Sequence, residues 1–216
     1  GVSVHLVEML DQILPLEDEE TVEVLRKSLI KQGIRISTGT RALSMKKQNG
    51  LTQVTLEEKN GTKKVVEVNK ILSAVGRIPN TRNIGLENVG LETQRGFIPV
   101  QDYYQTKVPS IYAIGDVVNT PLLAHVASKE GEIAVEHMAG HRPPSRIDPH
   151  LIPSAVYCEP QLAGFGYTEK EAAKEGIPYR KSVFPYRGAG KAVAIGRSEG
   201  MVKVLYHPST GEILGA

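Results

Sequence analysis

A carboxylate delivered at the end of an apolar strand can grip a polyol, and two acids in this sequence have that setting. Glu8 follows the alternating run Val4-His5-Leu6-Val7. Open α/β sheets bind ligands at the carboxyl ends of their strands, and an acid there can accept hydrogen bonds from both hydroxyls of an adenine ribose. The neighbouring Met9, Leu10 and Asp11 offer no basic group for a 2′-phosphate, which favours NAD over NADP. A solvated strand-end carboxylate is the alternative. Asp116 follows Ile111-Tyr112-Ala113-Ile114 and Gly115, whose missing side chain lets a ligand approach the backbone. Its natural partner is a polyol hydroxyl, and its alternative role is to cap a turn or the following helix. Leu122-Leu123-Ala124-His125 then enters a helix whose amides and positive dipole end favour negative charge on a bound ring or phosphate; ordinary helix packing is the other reading.

The remaining chemistry-bearing residues form no catalytic set. Of the six histidines, His137 and His141 are four apart, but Gly140 interrupts them and no cysteine pair is nearby, which argues against a metal site. His207-Pro208 reads as part of a turn. Ser154, Ser182 and Ser198 lie in no nucleophile-elbow pattern. Cys158 is the only cysteine, so the chain can form neither an internal disulfide nor a thiol pair that shuttles electrons.

The elements that must position these residues show in the hydrophobic periodicity. A first strand begins at Gly1, a helix capped by Asp18-Glu19-Glu20 buries Val22, Leu25 and Leu29 and ends at Gly33, and a strand over 34–37 completes a parallel βαβ step. Ala42–Lys47, Leu51–Glu58 and Lys63–Val68 are separated by Asn49-Gly50 and Asn60-Gly61, which predicts an antiparallel meander. Lys70–Val75 reads as a further buried strand and 81–99 as irregular. A strand over 111–114 precedes a helix over Ala124–Met138, with Val126, Ile133 and Met138 apolar, stopped by Gly140. Pro143-Pro144 marks a linker. Beyond it come strands over 154–158 and 162–167, the capping box Thr168–Glu171 with a short helix closed by Gly176, and two or three strands, the last pair flanking Pro208–Gly211.

Composition fits this α/β reading. The 216 residues are 40% hydrophobic, enough for a core, and 26 basic against 24 acidic residues leave a net charge of +2. No one-signed field points to nucleic acid or a membrane surface, and no apolar run is long enough to span a bilayer. A soluble intracellular protein is expected. The first strand has no initiator Met and no lead-in turn, and the last stops at Ala216, so an internal fragment of a longer polypeptide is expected as well.

The ordered set Ala74-Val75-Gly76-Arg77-Ile78-Pro79-Asn80, Ile111–Val118 and Pro121-Leu122-Leu123-Ala124-His125 resembles the flavoprotein disulfide reductases, and the likeness extends through Val156-Tyr157-Cys158-Glu159-Pro160 to Gly200–Lys203. Within the family, the Leu-Leu-Ala-His run is similar to the branch that oxidises dihydrolipoamide. The resemblance implies three parts: residues 1–80 as the C-terminal part of a Rossmann-like NAD-binding domain with its meander, 81–146 as the returning half of an FAD-binding domain, and 147–216 as the start of an α+β interface domain. It implies that Glu8 holds the adenosine ribose, Ala42 lines the adenine side and Gly76 admits the nicotinamide nucleotide to the backbone. By the same resemblance Gly115 and Asp116 bind the ribityl chain of FAD, and Leu122, Leu123, Ala124 and His125 lie along the isoalloxazine edge.

The implied reaction carries two electrons from dihydrolipoamide on a lipoyl domain, through a protein disulfide and FAD, to NAD. The implied partners are lipoyl domains of 2-oxo acid dehydrogenase complexes or of a glycine cleavage system, together with a second copy of the chain. The implied compartment is the cytoplasm, or the mitochondrial matrix in a eukaryote. The paired redox cysteines, the flavin-binding glycine turn, the glycine turn before Glu8 and the C-terminal His with its Glu partner are not in this sequence, and Cys158 does not match a redox cysteine. The 216 residues are therefore expected to be inactive alone. Glutathione-type or mercuric-type reductases, and a non-catalytic dimerisation module, are the alternatives.

Overall fold

Two short strands begin the fold, and the helix between them explains why they pair in parallel. In the computed structural model, which describes residues 1–216, β1 (His5–Val7) pairs with β2 (Arg35–Ser37), and α1 (Glu19–Lys31) makes the crossover. Asp18 caps α1 by accepting the Glu20 and Thr21 amides. The helix turns Val22 and Leu25 onto the strands, where they meet Ile13, Leu6, Ile36 and the later Leu162. The buried Ile13, Val22, Leu25 and Leu162 contribute about 1.5–3 kcal/mol each, the partly buried Leu6 and Ile36 less.

The meander forms as its turns dictate. β3 (Thr40–Gln48), β4 (Leu51–Glu58) and β5 (Lys63–Val68) lie in the order β3-β4-β5. Asn49 and Gly50 both take positive φ, 51° and 79°, in a two-residue hairpin whose twist matches its strands. Lys59-Asn60-Gly61 is a longer loop, with Glu58 and Thr62 bonded across it and Asn60 accepting the Thr62 amide at 2.9 Å.

The strand expected over 70–75 does not form. No strand of the chain lies beside it, and Leu72 and Val75 remain 93% and 96% exposed. A run of apolar residues becomes a strand only where a ladder partner takes its amides and carbonyls. The first strand likewise starts at His5 rather than Gly1. The segment over 111–114 carries a single bridge, Gln105 to Tyr112, because the backbone turns back at Tyr103 and Tyr104, both at positive φ.

Contacts divide the chain into two units: 1–73 with 153–216, and 74–152. In the second, Ile98, Ala113 and Val118 form a core against Leu86 and Val100, and α2 (Ala124–Met138) is present with the bounds its periodicity predicted. Met138 is exposed; the buried stripe is Val126, Glu130, Ile133 and Ala134. In the first unit, β6 (Ser154–Val156) and β7 (Leu162–Gly164) form a hairpin. It is followed by α3 (Glu169–Glu175) behind the full Thr168–Glu171 capping box. The sheet β8 (Arg180–Pro185), β9 (Met201–Tyr206) and β10 (Ile213–Gly215) is antiparallel, with α4 (Gly190–Ala194) between its first two strands.

The early and late parts of the first unit meet through Lys203 as well as through Leu162. The Lys203 side chain is 5% exposed, and its ammonium reaches both oxygens of Asp18 at 2.9 Å, Glu20 at 2.7 Å, and Glu169. Burial opposes its charge, yet the three carboxylates hold its pKa above the usual lysine value.

Candidate cofactor-binding site

Glu8 is anchored by its own turn. Its amide donates to the Ser37 carbonyl at 2.8 Å, its carbonyl accepts the Thr40 amide at 3.0 Å, and one carboxylate oxygen takes the Leu10 amide at 2.8 Å. That last bond fixes the half-buried carboxylate beyond the end of β1. Ala42 lies two residues past Thr40 on the same face of β3, exposed, opposite Leu56 and beside a register shift. The structure therefore brings Glu8 and the strand of Ala42 together. It also places a cation the sequence does not reveal: Lys59, from the β4–β5 loop, pairs with Asp11.

The second unit holds the other expected residues. Gly76 has φ +124° and open space around its Cα. Gly115 opens a single 3-10 turn, Gly115–Val117, at φ +70°. A side chain there would be strained, and a Cβ would lie 3.2 Å from that of Ala127 in the first turn of α2. Asp116 is next. Its side chain is 54% exposed, and instead of capping α2 it meets Arg77 at 3.2 Å. Leu123 is the N-cap residue of α2, and no side chain caps that end. Leu122 and Leu123 are half-buried, while Ala124 and His125 are exposed in the first turn.

Two residues of this site were not singled out by the sequence reading. Arg77 belongs to the quoted motif, but its pairing spans 39 positions and leaves no local signal. Glu130 is fully buried, and its Oε2 takes the Gly115 amide at 2.6 Å. Its signal was available: it stands at the helical spacing of Val126, Ile133 and Ala134, an acid on the apolar stripe.

Other candidates resolve into structural roles. His137 stacks on Tyr103 with centroids 4.2 Å apart and shares a 2.9 Å hydrogen bond with the Tyr112 hydroxyl. His207 accepts the Ser209 and Thr210 amides at 3.3 Å, as a turn residue should. The Cys158 thiol lies 3.0 Å from the Pro160 carbonyl, and burial, helped by Glu159, pushes its pKa up, opposite to what a redox nucleophile needs. No helix is long and apolar enough to cross a membrane.

This geometry fits the group that the sequence motifs imply. A half-exposed carboxylate, a glycine that admits a ligand to the backbone and an uncapped helix N-terminus suit a polyol chain joined to an electron-accepting ring. The pattern shared by the pyridine nucleotide-disulphide oxidoreductases matches residues 1–131, more than half of the chain. The chain belongs to that family. The dimerisation domain of the same family matches residues 152–216. Dihydrolipoyl dehydrogenase of Thermus scotoductus is 42% identical over the whole chain, which covers 46% of that protein, and that of Bacillus subtilis is 41% identical, 45% covered. The crystal structure of LpdA from Mycobacterium tuberculosis superposes on all of this chain with a TM-score of 0.88 at 30% identity, over 46% of its own length. The chain thus spans about half the length of the curated relatives it matches.

Proposed function

We propose that this chain is the central part of a dihydrolipoyl dehydrogenase, an oxidoreductase that takes electrons from protein-bound dihydrolipoamide and delivers them to NAD through a redox disulfide and FAD. The reading is carried by the Gly115–Asp116 turn, where a half-exposed carboxylate follows a positive-φ glycine packed on the first turn of α2, whose amides no side chain caps. Relatives near 40% identity over the full chain support it.

When bound, FAD supplies two-electron transfer between the disulfide and the nicotinamide. Asp116 accepts hydrogen bonds from the ribityl hydroxyls, exchanging Arg77 for them at small cost, because an ion pair this exposed is weak. The first turn of α2 favours negative charge on the ring, an electrostatic contribution rather than proton transfer. Leu122 and Leu123 keep water from the ring edge. Glu8, fixed by the Leu10 amide, accepts from the adenosine ribose, with Ala42 beside the adenine and Gly76 leaving its backbone open to the nicotinamide nucleotide. Lys59 lies near Glu8's own loop, but Asp11 engages it, which keeps the preference for NAD over NADP. Residues 1–80, 81–146 and 147–216 correspond to the NAD, FAD and interface parts. The last of these forms a homodimer, and lipoyl domains are the partners.

The gene product that carries this chain, purified without added cofactor, is expected to show flavin absorbance and to form NADH from dihydrolipoamide and NAD. A colourless protein that stays inactive with FAD supplied would overturn the reading.

A further inference from the structure

We infer that Glu130 is a positioning residue for the Asp116 site, acting through the Gly115 backbone; the inference rests on the flavin reading given above. Glu130 lies on the buried stripe of α2, and none of its side chain reaches solvent. For packing alone an acid is a poor choice there, since a leucine would fill similar space with no charge to desolvate. One carboxylate oxygen takes the Gly115 amide at 2.6 Å, and the other is buried with no hydrogen-bond partner. A buried carboxylate kept for stability would have both oxygens satisfied.

The bond that Glu130 does make controls the direction of the next side chain. Gly115 is held at both ends of its peptide geometry: its amide by Glu130, and its carbonyl by the Val118 amide at 2.9 Å. With φ fixed at +70°, the following residue is delivered at one angle, and that residue is Asp116. Without the carboxylate, the Gly115 amide could rotate through the wide φ range open to glycine, and Asp116 would rotate with it. A charged acceptor makes the clamp about twice as strong as a neutral one.

The test uses the apoprotein of the gene product, titrated with FAD, with wild type, Glu130→Gln and Glu130→Leu compared by flavin affinity and by thermal melting before FAD is added. Losing one hydrogen bond to a charged group predicts FAD binding roughly 10- to 100-fold weaker for Glu130→Leu. Glu130→Gln keeps shape and acceptor but not charge, and should weaken binding about 3- to 10-fold. The melting temperature of apo Glu130→Leu should fall only modestly, because the Gly115 amide loses its acceptor while a buried carboxylate with one unpaired oxygen is removed. A melting temperature that falls while FAD affinity holds would show a merely structural residue and overturn the inference. If Glu130→Leu does not fold, Glu130→Gln decides, and affinity equal to wild type overturns the inference. If wild type itself binds no FAD, the flavin reading fails instead.

Discussion

Replacing Lys203 by methionine should destabilise the first unit more than any surface change, because it strips a buried cation from three carboxylates. Lys203 is 5% exposed, with Asp18 at 18%, Glu169 at 25% and Glu20 at 46%. Breaking a buried pair by removing one partner costs about 3–5 kcal/mol. Two features favour the lower end. Glu20 is exposed enough for solvent to screen it, and Lys181 still reaches Glu20 at 3.0 Å and Glu169 at 3.1 Å. With a urea slope of about 3 kcal/mol per molar, a loss of about 3 kcal/mol lowers the unfolding midpoint by about 1 M, readable by circular dichroism.

The pH dependence supplies a second signature. Glu20 is held below its ordinary pKa by its bonds to Lys203 and Lys181, and Glu169 is also lowered, the same lysines outweighing its burial. Depressed carboxylates contribute stability that is present above their unfolded value of 4.5 and is lost as pH falls through the folded one. The raised Lys203 contributes below its unfolded value of 10.5 and loses that only at higher pH. The gap between wild type and K203M should therefore be constant between about pH 5 and 10 and should narrow as pH falls below 4.5. A midpoint shift under about 0.3 M, or a gap that widens in acid, would refute the account.

Further outcomes follow from single residues. Ile133, 2% exposed on α2, should lose about 2–5 kcal/mol as Ile133→Ala, measured by the same denaturation. Thr168→Ala removes the hydroxyl that accepts the Glu171 amide at 3.2 Å and should cost about 0.5–2 kcal/mol. Cys158 should react slowly with iodoacetamide at pH 8 and faster only as pH passes its raised pKa; rapid labelling at neutral pH would show the thiol to be activated instead.

Local chemistry made much of this fold legible. Asn49-Gly50 fixed the β3–β4 register, Asp18 and the Thr168–Glu171 box marked two helix starts, and the spacing of Val126 and Ile133 gave α2 its bounds. Features that depend on a distant partner were not legible. Lys70–Val75 has the composition of a strand but no neighbour to pair with, and Tyr103 and Tyr104 take positive φ without any glycine to announce it. In the candidate site, Asp116 and the α2 entrance stood out because a carboxylate past a strand is a local pattern. Arg77 and Glu130 act across 39 and 15 positions, and only the acid on the apolar stripe left a trace.

The sharing of one unit by both ends of the chain bears on biosynthesis. Asp18 leaves the ribosome 185 residues before the lysine that neutralises it. At about 5–20 residues per second, the first helix waits roughly 10 to 40 s for Lys203, and somewhat less for the Leu162 that covers its apolar face. Residues 74–152, a compact unit made of one continuous stretch, can fold during that delay. The segment 5–37 thus goes longest without its packing partners, and a slowed ribosome would lengthen that exposure rather than assist it.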